Sequence, residues 1–287
     1  MRSGSARHRI VLAAACLAAL LGGVPAAAFD EAGDAPAAAL AVATSMRAAF
    51  DAEVRPRVEL PEDEFAARTA LLETALDQHG VAWPDPEFVV LVDRSPNVQV
   101  AMLLLGAPHA GWHLVGAAPV STGQPGRFEH FLTPLGVFEH TLANPDFRAE
   151  GTKNALGIRG YGSKGARVYD FGWVAAPKTW GDHAMSVMRL QMHATDPDIL
   201  EPRLGTAQSK GCIRIPATLN AFIDRHAILD ADYDEALASG ERFWVLREDR
   251  ERPAIQGRYL VVVDSMRNER PLWAKPPPAP ASAGQHR

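Results

Sequence analysis

Gln208-Ser209-Lys210-Gly211-Cys212-Ile213-Arg214-Ile215-Pro216 holds the only cysteine beyond the N-terminal apolar segment of the chain. A glycine precedes the thiol, an Ile-Arg-Ile triplet with strand character follows it, and a helix-like run over 217–229 begins after Pro216. Upstream, His193 closes another strand-like run, with fifteen residues between it and Ser209. A thiol near a helix N-terminus, with a basic residue close by and a histidine on a neighbouring strand, is how a nucleophilic cysteine is activated. Each residue also has a plainer reading. A free cysteine is among the most buried residue types and usually packs, and a strand histidine is often a satisfied core residue.

The start of the chain sharpens the choice. Residues 1–28 read as a secretory signal peptide, with Arg2, Arg7 and Arg9 as its basic region, 10–21 as its apolar region and Ala26-Ala27-Ala28 as a small-residue cleavage site. The apolar run is short for a membrane span, which needs about 20 residues. Cys16 lies inside it in a poor context for lipidation. Once the signal is removed, Cys212 has no cysteine partner. Exported proteins use cysteines in pairs, so a lone retained thiol points to chemistry. The expected location is the periplasm or cell envelope, with no integral membrane segment after cleavage.

At these residues the chain resembles the L,D-transpeptidase (YkuD-domain) family. That family's signature is a histidine, about fourteen to seventeen residues, then Ser/Thr-His-Gly-Cys, an apolar residue and arginine. Here it reads His193-Ala194-Thr195, then Ser209-Lys210-Gly211-Cys212-Ile213-Arg214. Upstream, Ser121-Thr122-Gly123 and Thr133-Pro134-Leu135-Gly136-Val137-Phe138 resemble the family's STG and TPxGxF segments. The resemblance spans roughly 87–247. There are two departures: Lys210 stands where a second histidine is usual, and Ala194 where glycine is usual.

The remaining chain is consistent with such a domain. The net charge of −5 gives no footprint for nucleic acid. Residues 29–85 form an alanine-rich helical region, with helices expected over 37–54 and 61–79; they pack on the following domain or serve as a docking arm. From residue 86 the period changes. Short strands are predicted over 87–92, 98–105, 112–120, 136–141, 167–174, 187–194, 212–215, 242–248 and 258–264, with helices over 217–229 and 232–239. The expected fold is mainly β, a β-sandwich or partly closed barrel of the L,D-transpeptidase type spanning 86–265, with few helices. Residues 266–287, rich in proline and small residues, predict a disordered tail.

The resemblance implies that Cys212 attacks the carbonyl of the third residue of a peptidoglycan stem peptide. D-alanine leaves, a thioester forms and an amine of another stem accepts the acyl group, with His193 moving the protons. Water in place of that amine gives an L,D-carboxypeptidase or amidase, and loss of chemistry leaves a silent peptidoglycan-binding protein. The N–H groups of Gly211 and Cys212 are the expected oxyanion donors. Arg214, two residues past the thiol on a strand, shares its face and either holds a substrate carboxylate or forms a structural ion pair. Ser209 orients His193 or the turn, and Tyr161 is expected to line the cleft. Lys210 either lowers the thiol pKa or points to solvent. No cofactor is expected, and no metal either: His183, His193 and Cys212 match no compact zinc spacing.

Overall fold

Residues 87–93 (β1) and 100–107 (β2) read Glu-Phe-Val-Val-Leu-Val-Asp and Val-Ala-Met-Leu-Leu-Leu-Gly-Ala, apolar at almost every position. Such runs require cover on both faces of a sheet, and the structure supplies it. The structure, a computed structural model, describes residues 31–278; the expected signal peptide and residues 279–287 lie outside them. β1 and β2 belong to a five-stranded sheet with β3 (Gly111–Pro119), β4 (Gly136–Glu139) and β9 (Gly257–Val263), ordered β3-β2-β1-β9-β4. All neighbours in it are antiparallel except β1 and β9. The second sheet is ordered β5-β6-β7-β8, from β5 (Phe147–Arg148), β6 (Arg167–Pro177), β7 (Met185–Ala194) and β8 (Ile213–Ile215).

One core lies between the sheets. Phe88, Val90 and Val92 meet Tyr169, Leu190, Met192, Ile213 and Ile215 there. The alternate residues Val89 and Leu91 join a second core with Leu72, Ala75 and Leu76 of helix α2 (Glu62–Gln78). Helix α1 (Glu31–Glu53) feeds the inner core through Ala39, Ala43, Met46 and Phe50. Phe50 meets Phe222 of α3 (Ala217–Arg225) edge to face at 5.4 Å. It comes so close to β3 that a Cβ on Gly116 would fall 2.2 Å from its ring, so only glycine admits the helix there. Behind the second sheet, the buried Arg167 pairs with Asp146 and Asp230, both at 2.7 Å. It also stacks on Tyr169 and on Tyr233 of α4 (Ala231–Ala238).

The mainly β reading, with four helices among the described residues, stands. Several details differ from expectation. The sheets do not close into a barrel; the continuation of β3 meets the second sheet at the isolated bridge Ser121↔Arg214 and the loop before β8 at Gly123↔Ser209. Residues 242–248 are a turn rather than a strand: Phe243 packs on Tyr233 at 5.0 Å, Val245 is buried and Trp244 faces solvent, so no strand pairs them. The helix expected over 217–229 ends at Arg225, with Ala227 in the left-handed region (φ 50°). Residues 266–278 do not hang free as a disordered tail. Arg270 donates to the carbonyls of Gly205, Lys275 and Pro96, at 3.0, 2.8 and 2.9 Å, and Ala274 is buried. Proline content keeps this strap out of helices and strands, but it does not prevent docking. No helix among the described residues is long and apolar enough to cross a membrane.

Candidate active site

β7 and β8 lie side by side in parallel, with Met192 opposite Ile213 and His193 opposite Arg214. Strand alternation sends Leu190, Met192, Ile213 and Ile215 into the inner core. Arg189, Gln191, His193, Cys212 and Arg214 therefore share the opposite face. Cys212 is half-buried, and its S–H donates to the Arg189 carbonyl at 3.8 Å.

The loop that carries the thiol is braced from several sides. Ser209 Oγ accepts the Gly211 N–H at 3.0 Å and donates to the Cys212 carbonyl at 2.5 Å, closing a tight turn. Gly211 sits at φ 132°, and a Cβ there would come 2.7 Å from the Met188 sulfur. Thr133 Oγ1 donates to the Gly211 carbonyl at 2.7 Å and accepts the Gly123 N–H at 2.9 Å. Ser121 and Arg214 exchange two backbone hydrogen bonds, both 2.9 Å. The two upstream segments singled out in the sequence thus act as the frame of the thiol loop. Ser209 belongs to that turn and contacts no part of His193 by hydrogen bond. Of the two expected oxyanion donors, the Gly211 N–H is already taken by Ser209.

His193 is buried, and its Nδ1 donates to the Ala194 carbonyl at 2.6 Å. A carbonyl only accepts, so Nδ1 carries the proton and Nε2 is the free base of a neutral ring. Burial, with the Arg214 charge in support, pulls the His193 pKa down to about 4. Burial also pushes the Cys212 thiol up, against the nearby Gln191 N–H and the Arg214 charge. The resting pair is therefore neutral thiol and neutral imidazole, and not the standing thiolate that nucleophilic cysteines often keep.

Tyr161 does line the site. Its ring stands edge-on to His193 at 4.7 Å, and its hydroxyl donates to Gln191 Oε1 at 3.1 Å. Gln191 Nε2 in turn donates to Asp170, which also pairs with Arg189, both at 2.7 Å. Arg214 donates to the Gln208 carbonyl at 3.2 Å and has no carboxylate partner among the described residues, so the structural ion pair weighed for it is absent. Burial lowers its pKa, and only a thiolate at Cys212 would raise it. Lys210 takes the solvent-facing alternative: its side chain is 67% exposed and reaches only Glu129, at 3.5 Å. The alanine at 194 is matched by Gly162, where a Cβ would fall 2.8 Å from the Ala194 methyl.

Sequence reasoning missed Asp170, Gln191, Arg189 and His130. The first three lie in strands and read as ordinary alternation; only their register against Cys212 gives them away. His130 is buried against the Ser209 carbonyl, with its Nδ1 unpartnered. It arrives from a loop distant in sequence and carries no local signal. Burial lowers its pKa, assisted by the charges of Arg127, Lys210 and Arg214 and opposed by Ser209. Among the described residues no three His, Cys, Asp or Glu side chains converge as a metal site; His183 lies outside the assembly around Cys212. No family model matches the chain, and no curated protein matches it.

Proposed function

We propose that this protein is an exported cysteine acyltransferase of the L,D-transpeptidase type, acting on peptidoglycan stem peptides. One observation carries the reading. Cys212 and Arg214 share a face with His193 of the adjacent parallel strand, and the arginine has no counter-ion of its own among the described residues. A nucleophile, a base and a free two-point anion clamp on one face suit attack on a peptide carbonyl next to a terminal carboxylate.

In this mechanism the donor carboxylate lies on Arg214, and Cys212 Sγ bonds to the carbonyl carbon while its proton passes to His193 Nε2. The Cys212 N–H is the available backbone donor for the developing oxyanion. Collapse breaks the carbon–nitrogen bond, His193 returns the proton to the departing D-alanine amine, and a thioester remains. An acceptor amine then adds, loses its proton to His193 and expels the sulfur, which recovers that proton. Atoms and charges balance without a cofactor. The low His193 pKa leaves the ring neutral at neutral pH, so Nε2 is open to the thiol proton, although a pKa near 4 makes it a weak base.

The deciding experiment incubates the protein with a disaccharide-tetrapeptide and reads the masses of products and protein. The expected result is loss of D-alanine, a thioester adduct and a cross-linked dimer, all abolished in Cys212→Ala. A trimmed tripeptide without dimer identifies the hydrolytic variant. Intact substrate after long incubation with the wild-type protein refutes the enzymatic reading.

A further inference from the structure

β7 runs well past the end of β8. β6 pairs with it from Met185 to His193, but β8 pairs only with 192–194. Residues 185–190 thus have a strand on one side only. The direction of their free groups follows from a single contact. The Arg189 carbonyl receives the Cys212 S–H, so it points away from β6. Backbone groups alternate along a strand, so those of Val187 and Met185 point the same way. Neither residue makes a backbone hydrogen bond outside the β6–β7 ladder.

This edge is accessible and unprotected. Met185 and Val187 are 62% and 60% exposed, and Trp173, across on β6 opposite Arg189, is 68% exposed. Natural sheets blunt such edges with lysine, proline, bulges or short strands; here the open side is flanked by apolar side chains. The vacancy has a local cause. At Gly211 the chain turns aside, and Ser209 bridges to Gly123 instead of continuing β8 backwards along β7. The open edge ends at the thiol, and beyond the thiol stands Arg214, with no carboxylate partner among the described residues.

We propose that the acyl-donor peptide binds as an added strand on the open edge of β7, running parallel to it in the place that β8 vacates. This rests on the reading of Cys212 as the nucleophile. The polarity follows from the two ends of the site. The carboxylate end lies at Arg214, opposite His193, so the chain preceding the attacked carbonyl lies along 185–189. Val187 supplies an N–H and a carbonyl to the donor backbone, and Trp173 takes an aliphatic side chain. The ligand class is an extended peptide with a free C-terminus, held mainly through its main chain.

The test uses the full chain and a tetrapeptide donor ending in D-alanine. Val187→Pro deletes the N–H on the open side, where a strand tolerates proline. Val187→Ala keeps that N–H and trims the side chain. The expected result for Val187→Pro is a roughly tenfold rise in KM, as for one or two lost hydrogen bonds. Its kcat and the rate of Cys212 alkylation by iodoacetamide stay at wild-type values, and Val187→Ala moves KM by less than about threefold. With the wild-type protein, a donor methylated on the nitrogen of its acyl-donating residue loses a similar factor, which keeps the test valid if the proline variant fails to fold. Wild-type KM for both Val187→Pro and the methylated donor overturns strand addition and leaves the nucleophile standing. So does an equal loss in Val187→Ala and Val187→Pro, which assigns the binding to the side chain. A wild-type protein that leaves the donor intact overturns the functional reading and this proposal together.

Discussion

Replacing Thr133 with valine tests whether a single hydroxyl holds the thiol loop in place. The side chain is buried, and its hydroxyl accepts the Gly123 N–H at 2.9 Å while donating to the Gly211 carbonyl at 2.7 Å. Valine keeps the volume and orphans both backbone groups in a buried setting. Each orphan costs about 1–3 kcal/mol, so the variant loses roughly 2–6 kcal/mol. For a domain of this size that lowers Tm by about 4–24 °C. Thr133→Ser keeps both bonds and loses one methyl, about 1 kcal/mol. Thermal melts of the three proteins give the first readout, and Cys212 alkylation well below Tm gives the second. Thr133→Val is expected to alkylate with altered rate and pH dependence, because Gly211 immediately precedes the thiol, whereas Thr133→Ser follows wild type. A valine variant as stable as the serine variant, with wild-type alkylation, refutes the bracing argument.

Stability near His193 should depend on pH with a definite sign. Its folded pKa is about 4 against 6.5 unperturbed. As pH falls through 6.5 the unfolded chain takes up a proton that the folded chain refuses until about 4. Up to ~3 kcal/mol is therefore lost across that window and none above it. Urea melts at pH 7 and 4.5 should show a smaller drop for His193→Gln than for wild type, and equal drops refute the assignment. Arg214→Met should raise KM more than about tenfold for donors with a free C-terminal carboxylate and leave carboxamide donors unchanged in steady-state assays; equal effects on both rule out the clamp. Gly162→Ala adds a contact of 2.8 Å with Ala194 at a φ of 86° and should destabilise by about 1–3 kcal/mol. Adding Ala194→Gly should relieve the clash but not the strain, and a thermal-melt cycle without coupling counts against that contact.

Much of this was legible because apolar alternation and lone chemical groups are local signals. The runs at β1, β2 and β9 announced strands, and Cys212 stood out because no second cysteine remains once the expected signal peptide is set aside. The failures came from non-local causes. β5 has two residues and exists only because Val168 and Arg167 need neighbours. Residues 242–248 carry strand-like residue types, yet both sheets find their partners elsewhere and the segment goes to cover Tyr233. Asp170 and Gln191 gain their role from a register shift between Asp170 and Trp173 on β6, which no residue pattern announces. Lys210 drew notice as the wrong residue in a motif, but only the folded loop shows it pointing outward. The strap over 266–278 was obscured by its prolines, while Arg270 and Trp273 were the residues to notice.

The placement of α2 has a practical consequence. Because Leu72 and Leu76 cap Val89, Leu91, Met102 and Leu104 from behind, the helical region and the sandwich are not separable modules. A protein trimmed to begin at Glu87 would offer water a bare oily wall several strands wide. Such a fragment would collect into aggregates before its thiol could be assayed, and its silence would say nothing about catalysis.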